Sequence, residues 1–271
     1  MAADEPLRAH IEALVRAGAL RRKSAAEQLE AEIRRREEVL RQTFRRYVSP
    51  RVADRILEDL QLRDTLLATA DMRAHAVVLF ADLRGFSSMS EQLDAATVVP
   101  LLNEYFSLLT DITFRHEGTV FHMAGDCLML GFGVPVAQPD SAQRAVRAAR
   151  EMLDGFRELA RSWQERYRIE AGLGIGINEG EVVAGNIGSS SYMNYTIIGD
   201  AVNIAARLCQ RARAGEMLFS RTLKQSLDAR GVDVGATALP PLQLRGRAHP
   251  IDIYCVPRAS RLQLSDTPAA A

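Results

Sequence analysis

Two aspartates stand beside or near glycines just after apolar runs. One lies in Phe80-Ala81-Asp82-Leu83-Arg84-Gly85-Phe86-Ser87, the other 44 positions later in Ala124-Gly125-Asp126-Cys127-Leu128-Met129. The β-branched and aromatic run from Val77 to Phe80 predicts a buried strand with Asp82 at its end. Gly125-Asp126 separates the apolar runs Thr119 to Met123 and Leu128 to Phe132, which predicts a hairpin turn. Carboxylates on adjacent strand ends make a hard-oxygen site. Mg²⁺ and Mn²⁺ suit such a site, since they take one or two carboxylates together with substrate phosphates. A third segment runs from Tyr195 to Leu208, where Asp200 is expected to cap a helix that starts at Ala201. On that helix Asn203 and Arg207 are four apart and share a face, while Val202, Ala205, Ala206 and Leu208 cover the core side. A guanidinium offers forked, planar donors to phosphoryl oxygens. Alone, Arg207 is better explained as an exposed arginine paired with an acid; it gains meaning from the two aspartates.

The elements that must position these residues follow from the apolar pattern. A strand is expected at 75–82, a helix from Ala95 to Arg115, a hairpin over 118–133 and a helix from Ser141 to Tyr167. A strand at 169–177 is expected to pair with 181–187 through a turn at Asn178-Glu179-Gly180. A helix from Ala201 to Arg213 and strands at 216–219, 242–245 and 251–256 complete the series. The early order is βαββαβ. The expected class is α+β, a ferredoxin-like core with helices on one face of an antiparallel sheet and extra C-terminal strands. Met123, Met129 and Met152 read as core filler, Trp163 and Tyr167 as packed against the domain, and His116 as a helix cap or surface residue.

Ahead of this core, Ser24 and Glu27 have the form of a capping box. Leu29, Ile33, Arg36, Leu40 and Tyr47 then follow an imperfect heptad, which predicts a short parallel coiled coil joining two chains. The basic residues of this helix are interleaved with acids, as on a solvated face rather than a nucleic-acid patch. Ser49-Pro50 ends it. The expected organisation is a helical segment at 1–47, a linking element at 48–70, a main domain at 71–257 and a tail at 258–271.

Composition narrows the function classes. Of 271 residues, 47% are hydrophobic and 25% charged, as in globular proteins, and the net charge of zero removes any global case for nucleic acid. Cys127, Cys209 and Cys255 are far apart, with no ligand spacing, which argues for a reducing compartment. No apolar run approaches the roughly 20 residues of a membrane span. Met1 to Arg8 carries acids and lacks the apolar core of a signal peptide, so the chain is expected to be cytoplasmic.

Taken together, the three segments resemble the class III nucleotidyl cyclases, the adenylyl and guanylyl cyclase catalytic domain family. The match runs from about residue 75 to about residue 256. It includes Gly131-Phe132-Gly133, Gly176 to Gly180 and Val183 to Gly188 beside the segments above. Phe44 to Pro50 resembles the transducing element that often precedes such domains. The resemblance implies that Asp82, Asp126 and the main-chain carbonyl of Leu83 hold two divalent ions, Mg²⁺ or Mn²⁺. Backbone N–H groups through Gly85, Phe86 and Ser87 would cradle phosphates at a helix start. Asn203 would orient the ribose and Arg207 would hold charge on the α-phosphate. Arg245 falls where the family usually carries a phosphate-binding lysine. The implied reaction turns ATP into 3′,5′-cyclic AMP and pyrophosphate at a site shared between two chains of a head-to-tail homodimer. An upstream regulator would act through the N-terminal helix.

Base selection departs from the family pattern. The position that carries lysine in adenylyl cyclases is His122, and its partner position is Thr196, a residue frequent in one bacterial adenylyl cyclase subgroup. Thr196 can accept from the adenine amino group. His122 can donate to adenine N1, or accept from guanine N1–H. ATP is therefore expected ahead of GTP, and His122 is expected to give turnover a pH dependence near neutrality. The alternatives are a guanylyl cyclase and a silent cyclase-like nucleotide-binding domain. A cyclic-dinucleotide synthase sharing the core fold lacks the Asn203/Arg207 helix.

Overall fold

The computed structural model describes residues 72–189, 192–244 and 249–256, with scattered positions between 28 and 59. The chain divides into two units, 1–46 and 47–271. Gln28, Glu30, Ala31, Glu32, Arg34, Arg35 and Glu38 are helical and exposed, with Arg34 Nη1 3.6 Å from Glu30 Oε2. The heptad positions, the Phe44 to Pro50 element and Arg245 lie outside the described residues.

The second unit is built on β1 (Met72–Arg84), with α1 (Phe86–Gln92) and α2 (Ala95–Arg115) after it. The hairpin β2 (Thr119–Ala124) and β3 (Cys127–Phe132) precedes α3 (Ser141–Tyr167) and the long β4 (Gly172–Ser189). Then come β5 (Tyr192–Ile198), α4 (Asp200–Arg211), β6 (Met217–Ser220), α5 (Arg221–Asp228), β7 (Thr237–Leu242) and β8 (Ile251–Val256). The sheet order is β2-β3-β1-β4-β6-β8-β7, with β5 also on β4. The run β2-β3-β1-β4 with two connecting helices is the ferredoxin-like arrangement, and the mixed α+β class stands as expected.

Helices cover both faces, not one. Val77, Leu79, Ala81 and Leu83 of β1 join Leu101, Tyr105, Leu109, Val146, Met152 and Phe156 of α2 and α3 in the main core. Ala76 and Val78, of opposite parity, join Ala201 and Ala205 of α4 on the other face. This is why the centre of β1 is buried on both sides and lacks a clean alternation. Asp94 caps α2, accepting from Thr97 N at 2.9 Å. Trp163 is fully buried and donates to Glu104 at 2.8 Å, locking α3 to α2.

Three local expectations are corrected. β4 is one strand of 18 residues, so Asn178, Glu179 and Gly180 form no turn; they pair with Val78, Val77 and Ala76. The reason is tertiary. Asn178 donates to Ala201 O at 3.0 Å, and Gly180 lets α4 approach, with Ala201 Cβ 3.2 Å from where a side chain would begin. The strand expected at 242–245 is instead Thr237–Leu242. It tolerates Pro240 and Pro241 because β7 is the sheet edge. Met123 is exposed rather than core filler, whereas Met129 and Met152 are buried.

Candidate active site

Strand register brings the two aspartates together. Asp82 of β1 pairs with Cys127 of β3, and Asp126 is the residue before Cys127, in a turn where Gly125 takes φ +60°. β1 runs two residues past Asp82, to Arg84. Burial first, and then the negative charge of Asp82, push the Asp126 carboxyl above its ordinary range, against the lowering effects of its own backbone hydrogen bond and Arg84. Two half-buried carboxylates that repel one another favour a cation between them, and this donor set fits a hard divalent ion. Among the described residues no group of three or more His, Cys, Asp or Glu side chains is gathered for a metal, so further ligands would be main-chain or substrate oxygens.

Burial keeps the flanking thiols protonated. Burial pushes the Cys127 thiol up to about 11 and the Cys209 thiol up to about 12. Tyr105, fully buried below the pair, is held far above its ordinary value by burial first, then by Cys127, Cys209, Asp82 and Asp126. Among the described residues its hydroxyl finds no partner.

Leu83 is buried beside Asp82. Gly85 follows β1 with φ +92°, and an added Cβ would lie 2.8 Å from Glu170 O, so only glycine fits between β1 and α1. The α1 start has no side-chain cap, and Ser87 is exposed there with Phe86 half-buried.

Asn203 and Arg207 lie on the exposed side of α4. Its other side buries Ala201, Ile204, Ala205, Leu208 and Cys209. Gly176 seats the helix: a Cβ there would be 2.0 Å from Cys209 N and 2.5 Å from Ala205 O. Arg207 Nη1 donates to Gln210 Oε1 at 3.0 Å, an amide rather than the expected acid. Gly199 is the N-cap and Asp200 the first helical residue, without a side-chain cap, which corrects the expected Asp200 cap. Asp200 still suits the positive end of the helix.

His122 is exposed on β2, paired with Met129, and Thr196 is half-buried on β5, paired with Gly185. Their chain neighbours Phe121 and Tyr195 touch, ring centroids 5.9 Å apart, so β2 and β5 bring these two positions to one region of one chain. Two cavities of about 570 and 490 Å³ are lined by none of these candidate residues.

Sequence reasoning missed two partners. Arg84 lies two residues after Asp82 and so on the same strand face; its Nη1 donates to Asp82 Oδ1. His75 donates from Nδ1 to Glu181 Oε1 at 3.0 Å and from Nε2 to Glu179 Oε1 at 3.1 Å. These contacts depend on the unbroken β4, which a turn at 178–180 would have abolished.

The profile of the adenylate and guanylate cyclase catalytic domain matches residues 69–257. The adenylyl cyclase CyaB from P. aeruginosa superposes with TM-score 0.67 at 32% identity, over 72% of this chain and 100% of that one. The guanylyl cyclase Cya2 gives TM-score 0.61 at 35% identity, over 68% and 92%. The uncharacterized protein Rv1318c of Mycobacterium tuberculosis is 35% identical over 181 residues, 65% of this chain and 31% of that protein. The uncharacterized protein Mb1354c of Mycobacterium bovis is 35% identical over 201 residues, 72% and 32%. The chain thus spans about a third of the length of these curated relatives. No helix among the described residues is long and apolar enough to cross a membrane. By family profile and fold, the chain belongs to the class III adenylyl and guanylyl cyclase catalytic domain family.

Proposed function

We propose that this chain is an adenylyl cyclase that converts ATP to 3′,5′-cyclic AMP and pyrophosphate at sites shared between two copies of itself. The observation that carries the two-chain reading is the placement of α4. Its buried face sits on the sheet, and Asn203 and Arg207 point the other way. In this reading each chain supplies both halves, and a site is completed by two chains. A head-to-tail pair would give two equivalent sites. Exposed Ile187, Ile198 and Met123, around the β4–β5 and β2–β3 ends, offer apolar surface for that contact.

In this reading Asp82, Asp126 and the Leu83 carbonyl hold two Mg²⁺ or Mn²⁺ ions. When bound, these ions lower the pKa of the attacking 3′-hydroxyl and steady the leaving phosphate oxygens. The backbone after Gly85, through Phe86 and Ser87, receives the β and γ phosphates. From the partner, Asn203 orients the ribose and Arg207 meets the charge that builds at the α-phosphorus. A preorganised donor of this kind contributes about 10²–10³ in rate. Arg245 supplies a further cation to the phosphates. No side chain need act as a general base.

His122 and Thr196 would read the base. Thr196 accepts from the adenine amino group and His122 donates to N1. A guanylyl cyclase is the second reading, favoured by the absence of lysine at 122. Product formation from ATP and from GTP, each with Mg²⁺ and with Mn²⁺, separates them. Cyclic AMP as the dominant product supports the proposal, cyclic GMP replaces it with the second reading, and no product from either leaves a silent domain. We place this activity in the cytoplasm, with regulation arriving through the helical segment at 1–47 and the element at 48–70.

A further inference from the structure

Arg84 has no role in the reaction as described, yet its surroundings are built around it. It pairs with Gly172 across β1 and β4, and Asp82 pairs with Gly174. A Cβ on Gly174 would lie 2.5 Å from Arg84 Nη2 and 2.8 Å from its Cζ, so the guanidinium lies against the strand in space that only glycine leaves. There it makes three kinds of contact. Nη1 donates to Asp82 Oδ1, Nη2 to Cys209 O, and Nε to Ala212 O at 2.9 Å. Cys209 O and Ala212 O are carbonyls at the C-terminal end of α4, where the helix dipole favours a cation. The Arg84 and Asp82 side chains are 24% and 29% exposed, too covered for their charges to be fully screened. One planar group thus fixes a carboxylate of the metal pair and the end of the helix that carries Asn203 and Arg207. Lysine carries one nitrogen where the guanidinium uses three, and so does not reproduce this set of contacts.

We propose that Arg84 is a positioning residue that ties Asp82 to the C-terminal end of α4, and so links the two half-sites of one protomer. The inference rests on the shared-site reading above. In a head-to-tail dimer Asp82 serves one active site and the Asn203/Arg207 face of α4 serves the other. Arg84 is then the physical connection between the two sites within each chain. A hydrogen-bonded partner that orients a metal carboxylate is worth about 10–100-fold in metal affinity or activity.

The test uses Arg84→Met and Arg84→Lys in the full chain. Binding of Mn²⁺ alone, followed by the spin-resonance signal of the free ion, needs no turnover. Arg84→Met is expected to bind at least about tenfold more weakly, with Arg84→Lys between it and the wild type. Unchanged or tighter binding would mean that the guanidinium is only a repelling charge, and would overturn the proposal. The second arm mixes an Asp82→Ala chain with an Arg207→Ala chain, leaving one complete site per mixed dimer. Arg84→Met placed on the Arg207→Ala chain should raise the Mn²⁺ needed for half-maximal rate. On the Asp82→Ala chain it should lower kcat with the Mn²⁺ requirement unchanged. An effect from one placement only, or from neither, overturns the link. No activity in the mixture without any Arg84 change, despite demonstrated subunit exchange, overturns the shared-site reading instead, while the Mn²⁺ binding arm still decides on Arg84.

Discussion

Gly176→Ala tests whether the seating of α4 governs the chemistry. The added Cβ would lie 2.0 Å from Cys209 N, 2.5 Å from Ala205 O and 2.6 Å from Cys209 Cα. All three are helix backbone, so no rotamer change relieves the clash. Ordinary contact begins near 3.4 Å, and the shortfall from 3.4 to 2.0 Å requires α4 to retreat from the sheet by about 1.4 Å. Overpacking of this kind costs about 1–3 kcal/mol, and a rigid obstacle places it at the upper end. At ~3 kcal/mol the melting temperature of a domain this size falls by about 6–12 °C. The retreat also carries Asn203 and Arg207 with it, and a misplacement of about 1 Å lowers a rate about 10²-fold. Thermal unfolding and cyclic-nucleotide formation well below the melting temperature measure the two effects. Gly118→Ala is the control, since its Cβ would press on the Phe132 and Thr113 side chains, 2.8 Å away, far along the chain from α4. It should lose stability and keep its rate. Wild-type stability and turnover in Gly176→Ala would refute the reasoning.

Asp82→Asn and Asp126→Asn are expected to lose turnover by more than about 10³-fold while unfolding as cooperatively as the wild type; residual activity above a tenth would remove either from the metal pair. His122→Gln should change the ratio of cyclic AMP to cyclic GMP formed from equal ATP and GTP, and an unchanged ratio would remove His122 from base contact. Burial opposes a charge on His75, yet Glu181 and Glu179 outweigh it and raise its pKa above the ordinary 6.5. That stabilisation is complete below about pH 6.5 and is lost as pH rises through the higher folded value. The melting-temperature advantage of wild type over His75→Gln should therefore shrink from about pH 6 to about pH 8; a constant difference would show that the imidazolium is not held by the two carboxylates.

Local rules made part of the molecule legible. The helices Ala95–Arg115 and Ser141–Tyr167 follow from their apolar periodicity, and the β2–β3 turn from Gly125-Asp126. Asp82 and Asp126 could be placed together because a hairpin beside β1 brings them there through one register. What depended on contacts distant in sequence was not legible. Asn178-Glu179-Gly180 has the composition of a turn, but α4 and His75 hold it as strand. α5 has eight residues, capped by Ser220 through Leu223 N at 3.5 Å, and is too short for periodicity to announce. Arg84 belongs to the same motif as Asp82, yet its acceptors lie 125 and 128 residues away. The position of α4 on the opposite face, which exposes Arg207, follows from the glycine at 176 and from packing that no single segment encodes.

The most direct test of a site made by two chains is complementation. Asp82→Ala and Arg207→Ala proteins should each be inactive alone. Mixed in equal amounts with free subunit exchange, half the dimers are hybrids with one intact site of two, so activity should return to about a quarter of wild type. Full inactivity of the mixture, with exchange proven by differently tagged chains, would contradict the account.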